Sequence, residues 1–493
     1  MGPVLSRRYG PTRCVWGAKQ VKLIVCVARG PTMPGVIFAL DLPAGCLTLR
    51  PDMRPTNQVS RREFIASTSV LLAASQFGVA QTTANDADKL ALEGAKKAVS
   101  RPMPKPVRWG EPELQQLSAA LKQDSLYYWN SPQTKLLMER YRAIYGHKFV
   151  QPCSSGSAAL HIAVAAAGIA PGDEVITSGI TDIGTVIGVL FQQAVPVFAD
   201  LEPQTGCLDP ADVERKITPK TKAIIAVHLA GNPCKLAELK EIADEHKLIL
   251  IEDCAQAWGA LYRGKPISSV GQIGCFSLQD SKHISCGDGG VVATGDEKFG
   301  PLLIKFGDKG TNRLNPKDSV TALGANYRIS ELQAAFVAAQ LTRLEGIASQ
   351  RSRLGNRLTE ELAGIPSIMT HQVRPDDRCV YWFYLARLVP EKLRCNRAEF
   401  VKALAAEGAT FSAGYIAVPV YGMPMFQNHS FFAGHWPARE CGLTNMDYTK
   451  VRCPETEAIL KTCMLFRVNE AMDEDYIRSV AQAVRKVAKH YAV

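Results

Sequence analysis

From about residue 149 to residue 294, short apolar runs alternate with helix-length segments, and this alternation restricts the fold more than any other feature of the chain. Strands are expected over 174–177, 196–200, 223–228, 248–253, 273–278 and 290–294, and helices over 158–167, 183–192 and 236–246. Strand–helix alternation predicts an α/β fold with a mostly parallel, doubly wound sheet and right-handed crossovers. Ligands bind such sheets beyond the carboxyl ends of the strands. Asp200, His228 and Asp253 fall at such ends.

Outside this region the pattern changes. Residues 113–122 read as a helix. Apolar positions Leu332, Ala335, Phe336, Ala339, Leu341 and Leu344 recur at helical spacing, which predicts one long bridging helix over 329–362 ended by Pro366. A strand over 381–388 and helices over 398–406 and 474–489 then predict a smaller α+β domain. The expected organisation is a leader, a polar and Pro-rich linker or arm at 82–108, a large domain at 109–364 and a small one at 365–493.

The formal charge of +10 is concentrated at the start, where residues 1–80 hold ten basic and three acidic side chains. The body is close to balanced, so nucleic acid is not an expected partner. Residues 1–52 show no clear period. After Met53 comes Ser60-Arg61-Arg62-Glu63-Phe64-Ile65, then an apolar segment over 66–79 and the small residue Ala80. This order resembles a twin-arginine export signal over 53–81 with cleavage after Ala80. Translation is then expected to start at Met53, with residues 1–52 a mis-set start or a disordered extension. A working leader implies export to the periplasm; an idle one leaves the protein cytoplasmic. No stable membrane anchor is expected once the leader is removed. Eleven of the 14 cysteines follow Met53, with no Cys-x-x-Cys pair and no zinc spacing, so no metal is expected. If the protein is exported, Cys441, Cys453 and Cys463 are the candidates for a disulfide.

The chemistry concentrates around Lys282. It follows Ser277 by five residues and precedes the glycine-rich Cys286-Gly287-Asp288-Gly289-Gly290. Upstream, the run Ile249-Leu250-Ile251 ends in Glu252-Asp253, with Gln256 three residues on. Ser154-Ser155-Gly156-Ser157 precedes an expected helix, whose first backbone N–H groups would form an anion site. Pyridoxal phosphate (PLP) requires this set: an amine for a Schiff base, a carboxylate for its pyridine nitrogen and donors for its phosphate. Taken singly, each residue has a plainer reading: a surface lysine, a helix-capping acid, a serine N-cap. The ordered set is what points to the cofactor.

These residues carry a resemblance. Gly156-Ser157-Ala158-Ala159-Leu160, Pro171-Gly172-Asp173-Glu174-Val175-Ile176, Asp253-x-Ala255-Gln256-Ala257, Phe276-Ser277-x-x-x-x-Lys282 and Asn326-Tyr327-Arg328-Ile329-Ser330-Glu331 resemble the DegT-type sugar aminotransferases, which are PLP enzymes of fold type I. The likeness spans roughly residues 105–490. It implies that Lys282 carries the cofactor and moves the proton, that Asp253 holds the pyridine nitrogen and that Gln256 lies near the ring. It further implies that Gly156, Ser157 and Ser277 hold the phosphate. Asn326 would reach the phosphate of a neighbouring subunit, which makes the working unit a homodimer. The implied reaction moves an amino group from glutamate or glutamine to a keto-sugar, nucleotide-keto-sugar or similar cyclic ketone. Two positions depart from the pattern: Asp182 stands where the family places a ring-stacking aromatic, and Tyr421 where it commonly has histidine near the substrate. The alternatives are a PLP-binding or regulatory protein without turnover, and another PLP chemistry such as elimination.

Overall fold

The computed structural model describes residues 89–493 apart from 316, 318 and 319, and the backbone of an antiparallel strand pair, Val25–Ala28 with Gly35–Phe38. The twin-arginine motif, the apolar segment over 66–79 and Ala80 lie outside the described residues. Residues 1–81 and 82–493 form separate units.

The main unit is built on seven strands: β1 (Phe149–Cys153), β2 (Glu174–Ser178), β3 (Val195–Ala199), β4 (Thr221–Val227), β5 (Ile249–Asp253), β6 (Ile273–Ser277) and β7 (Gly290–Thr294). Their order across the sheet is β1-β7-β6-β5-β4-β2-β3. β7 runs antiparallel to both neighbours, and the other pairings are parallel. Alternate residues serve opposite faces, as strand geometry requires. Ile224, Ala226 and Leu250 enter one apolar cluster, while Ala223, Ile225 and Ile251 enter another. Both faces are covered, so these strands read as unbroken apolar runs. The α/β class, the mostly parallel sheet and each strand expected over 174–294 are present, with ends shifted by at most two residues.

The helices that position the site are α1 (Glu111–Ala120), α2 (Pro132–Tyr145), α3 (Gly156–Ala166), α4 (Gly184–Phe191), α5 (Pro210–Arg215), α6 (Leu236–Glu245) and α7 (Gly300–Gly307). β1 and α2 have no counterpart in the sequence reading. The expected bridge over 329–362 is two helices, α8 (Glu331–Leu341) and α9 (Leu344–Leu362). The break falls at Thr342-Arg343. Thr342 Oγ1 turns back to donate to Ala339 O at 2.7 Å, and the Arg343 guanidinium leaves to bind the carbonyls of Val107 and Arg108.

A second sheet orders β8 (Ile368–Met369), β9 (Tyr384–Leu388), β11 (Cys463–Phe466) and β10 (Phe411–Ser412), all antiparallel. It packs with α10 (Arg397–Ala406) and α11 (Glu474–Tyr491) around Phe400, Phe466, Ile477 and Val484. The end of α9 joins this core through Leu354, Leu358 and Leu362. So does the segment expected to be a linker: Leu90 and Val99 are buried there, and buried Glu407 accepts from Ala91 N at 2.7 Å and Ala98 N at 3.0 Å. From Leu90 onward this stretch is a fastened strap. The described cysteines are all free, including Cys441 on the surface and Cys453 and Cys463 in the interior, so no disulfide joins the three candidates.

Candidate active site

Lys282 sits in the loop between β6 and β7. Its side chain is buried, and burial lowers its amine to about 8 although the carboxylates of Asp253 and Asp182 favour the charged form. An amine near neutrality is a usable nucleophile and base. Arg108, at the end of the strap, donates to Lys282 O at 3.2 Å.

Asp253 ends β5. Its Oδ2 accepts from Thr185 Oγ1 at 2.8 Å and its Oδ1 from Ala255 N at 3.1 Å. Burial raises its pKa, while the Thr185 hydroxyl, the Ala255 amide and the Lys282 charge oppose the rise. Gln256 is tied from both sides: its Oε1 accepts from Ala230 N at 2.8 Å and its Nε2 donates to Tyr415 OH at 3.4 Å.

The serine-rich turn also takes shape. Ser155 is the N-cap of α3, accepting from Ala158 N at 3.0 Å, so Gly156 and Ser157 occupy the first helical turn with backbone donors free of helical partners. Gly156 is required: a Cβ there would lie 2.6 Å from Ser277 Cβ. Two of the residues expected to hold the phosphate, Gly156 and Ser277, are therefore in contact. Gly290 allows another close approach, since its Cβ would fall 2.2 Å from Ser155 O. Within the glycine run only Gly287, at φ +87°, uses the left-handed region, whereas Gly289 and Gly290 do not.

Three other residues singled out in the sequence are engaged in holding the fold together. Asp200 is spoken for: its carboxylate caps the helix Pro454–Thr462, accepting from Glu455 N at 2.9 Å and Thr456 N at 2.7 Å. His228 is buried, donating from Nε2 to Glu252 Oε2 at 3.1 Å and accepting at Nδ1 from Cys234 N at 3.1 Å. Burial pushes Glu252 up, but His228 and the amides of Gly271 and Ser268 outweigh it and hold the carboxyl low. Cys254 stands close to this pair, yet the polar atoms of His228 and Glu252 are already committed, and Glu252 braces the 268–271 turn by accepting from the amides of Ser268, Val270 and Gly271. Tyr421 is buried against Phe198, with its hydroxyl donating to Glu457 Oε1 at 3.1 Å. Its ring belongs to an apolar cluster with Val186, Leu190 and Phe426.

Asp182 is exposed, and its Oδ1 accepts from Gly184 N at 2.8 Å at the start of α4. Aromatic faces come instead from the small domain. Trp382 lies over Lys282, with Nζ 3.8 Å from the ring centroid, and Tyr415 stands edge-on to Trp382 at 5.7 Å. Trp382, Tyr415, Thr185 and Arg108 are site residues that sequence reasoning missed. Thr185 lies three residues from Asp182, and the other three belong to no motif singled out in the sequence. Asn326 is exposed and precedes α8 by several residues. It does not open that helix, whose N-cap is Ser330. Its Oδ1 accepts from Arg328 Nε at 2.9 Å.

The model of the DegT/DnrJ/EryC1/StrS aminotransferase family matches residues 108–485. The chain belongs to this family. It is 34% identical over 358 residues to a putative L-glutamine:3-amino-2,3-dideoxy-scyllo-inosose aminotransferase of Streptoalloteichus tenebrarius, covering 71% of this chain and 85% of that one. It is 37% identical over 284 residues to GDP-perosamine synthase of Caulobacter vibrioides, covering 57% and 76%. Among solved structures, the aminotransferase from Psychrobacter cryohalolentis superposes with a TM-score of 0.70 at 26% identity, covering 78% of this chain and 98% of that one.

The protein is thus a PLP-dependent aminotransferase of fold type I. The residues present fit the cofactor. A buried amine, a buried carboxylate at a strand end and a glycine-lined helix start are its three anchoring chemistries. When bound, PLP supplies an electron sink for the carbon that loses its proton. Asp253 would hold the pyridine nitrogen, Gly156, Ser157 and Ser277 the phosphate, and Lys282 the aldehyde carbon. Burial excludes water, and Lys282 Nζ is the atom suited to hold and move the proton.

Proposed function

We propose that this aminotransferase moves the amino group of glutamine or glutamate onto a polyhydroxylated cyclic ketone, either a keto-sugar or a keto-cyclitol. Support comes from Lys282 and Asp253, which are both buried, with charges that act on each other. Further support comes from the names of the relatives, a putative L-glutamine:3-amino-2,3-dideoxy-scyllo-inosose aminotransferase and a GDP-perosamine synthase. The test is direct. Purified protein should be yellow, bleach with glutamine or glutamate, and then aminate scyllo-inosose or a nucleotide-linked keto-sugar, with the amine read by mass spectrometry. Colour that no amino donor bleaches would instead fit a binding or regulatory protein. Release of ammonia without an aminated product would fit elimination. Borohydride reduction should fix the cofactor on Lys282, and a label on another lysine would overturn the site.

The same reading includes a homodimer with shared sites, in which Asn326 serves the neighbouring phosphate; its exposure suits that role. It also includes export through the Arg61-Arg62 motif, with translation from Met53. Changing both arginines to lysine should then hold precursor in the cytoplasm. A native N-terminus at Gly2 would overturn the leader.

A further inference from the structure

We infer that Trp382 is a positioning residue for Lys282, whose indole face stabilises the charge that the lysine gains on accepting a proton. The inference rests on the reading of Lys282 as the proton-carrying amine.

Trp382 is held rigidly for this purpose. Its backbone N donates to Ala230 O at 2.8 Å, and its Nε1 donates to Ser281 O at 2.7 Å, one residue before the lysine. The preceding Tyr381 takes a left-handed φ of +41°, and its ring lies against the backbone of Gly355, where a Cβ would fall 2.2 Å away. This kink aims residue 382 out of the small domain and towards the lysine. The indole is half-buried, and Nζ stands 3.8 Å from its centroid, well inside the range in which an aromatic face attracts a cation.

The other groups facing the amine are the Asp253 carboxylate from the end of β5 and the Asp182 carboxylate from the loop after β2. His283, next in the chain, is buried and uses Nε2 on Val380 O at 3.0 Å. Burial disfavours the ammonium, and the two carboxylates with the indole favour it. When Lys282 acts as base, the C–H bond of the bound donor breaks, an N–H bond forms on Nζ, and the electron pair stays with the substrate carbon. Trp382 lowers the cost of the resulting buried ammonium without adding a third negative charge.

The plainer role for Trp382 is a wall fixed by its N–H. Two variants separate the roles: Trp382→Phe keeps a weaker aromatic face and loses the N–H, whereas Trp382→Leu keeps apolar cover and loses both. The measurement is the titration of Lys282 in cofactor-free protein, read by NMR after 13C reductive methylation and assigned with Lys282→Met. The midpoint should fall by about one pH unit in the Leu variant and by less in the Phe variant. The acid limb of kcat should move the same way. Midpoints that stay put, or that move equally in both variants, would overturn the inference. If the Leu variant does not fold, an unmoved midpoint in the Phe variant decides against it. The titration needs no acceptor, so it stands or falls separately from the aminotransferase reading.

Discussion

Thr185 Oγ1 donates to Asp253 Oδ2 at 2.8 Å, and the same hydroxyl stands 2.6 Å from Thr181 Oγ1. Because the Thr185 proton is committed to the carboxylate, Thr181 is the donor in the second contact. Two buried hydroxyls, Thr181 from the loop before α4 and Thr185 from its first turn, thus lead to the one strand-end acid that faces the lysine. Burial favours the neutral carboxyl, and these donors favour the carboxylate that must pair with a pyridinium.

Replacing Thr185 by Val removes that donor with little change in shape. A hydrogen bond to a charged group is worth about 1.5–3 kcal/mol, so turnover is expected to fall roughly 10- to 100-fold. Thr185→Ser should recover most of the loss. Steady-state kcat in the three proteins checks this, and a Val variant as fast as the parent would show that the relay does not matter.

Asp253→Asn is expected to cut turnover by on the order of a hundredfold, about 3 kcal/mol of barrier, because the amide cannot keep the pyridine nitrogen protonated. Cofactor should still bind through the helix start and Lys282. Absorbance titration with PLP and single-turnover rates measure the two effects separately. Near-normal single turnovers would contradict the role given to Asp253.

Lys282 also predicts how the cofactor-free protein responds to pH. Its amine titrates at about 8 in the fold against an ordinary 10.5. Between these values the unfolded chain binds more protons than the folded one, so stability rises with pH across that window. Below about pH 8 the full burial penalty applies, roughly 3 kcal/mol. Urea unfolding from pH 7 to 10.5 should show this rise in the parent and lack it in Lys282→Met. Parallel curves would mean that the amine is not desolvated.

A shared dimeric site predicts complementation. Lys282→Ala and Asn326→Asp should each be nearly inactive alone. Heterodimers of the two carry one site with both intact residues, so partial activity should return after subunit exchange. Verified heterodimers as inactive as the parents would refute the sharing of residues between subunits.

Alternating apolar runs and helix-length segments determined the sheet and its helices, since short unbroken apolar runs and the helical period are local properties of the chain. Motif order likewise marked Lys282, Asp253, Ser277 and Gly156, because a strand end, a helix start and a glycine turn are each written in a few consecutive residues. Tertiary structure decided which strand-end groups are open. Asp200 is consumed by amides more than 250 positions away, at Glu455 and Thr456, and His228 by Glu252 and Cys234. It also broke the bridging helix at Thr342-Arg343, where the strap captures an arginine, and it brought Trp382 and Tyr415 from the second domain to the lysine. Hydrogen bonds and ring contacts between distant segments leave no periodic trace in a sequence. The chemistry was therefore legible where it is local, and the walls of the site were not.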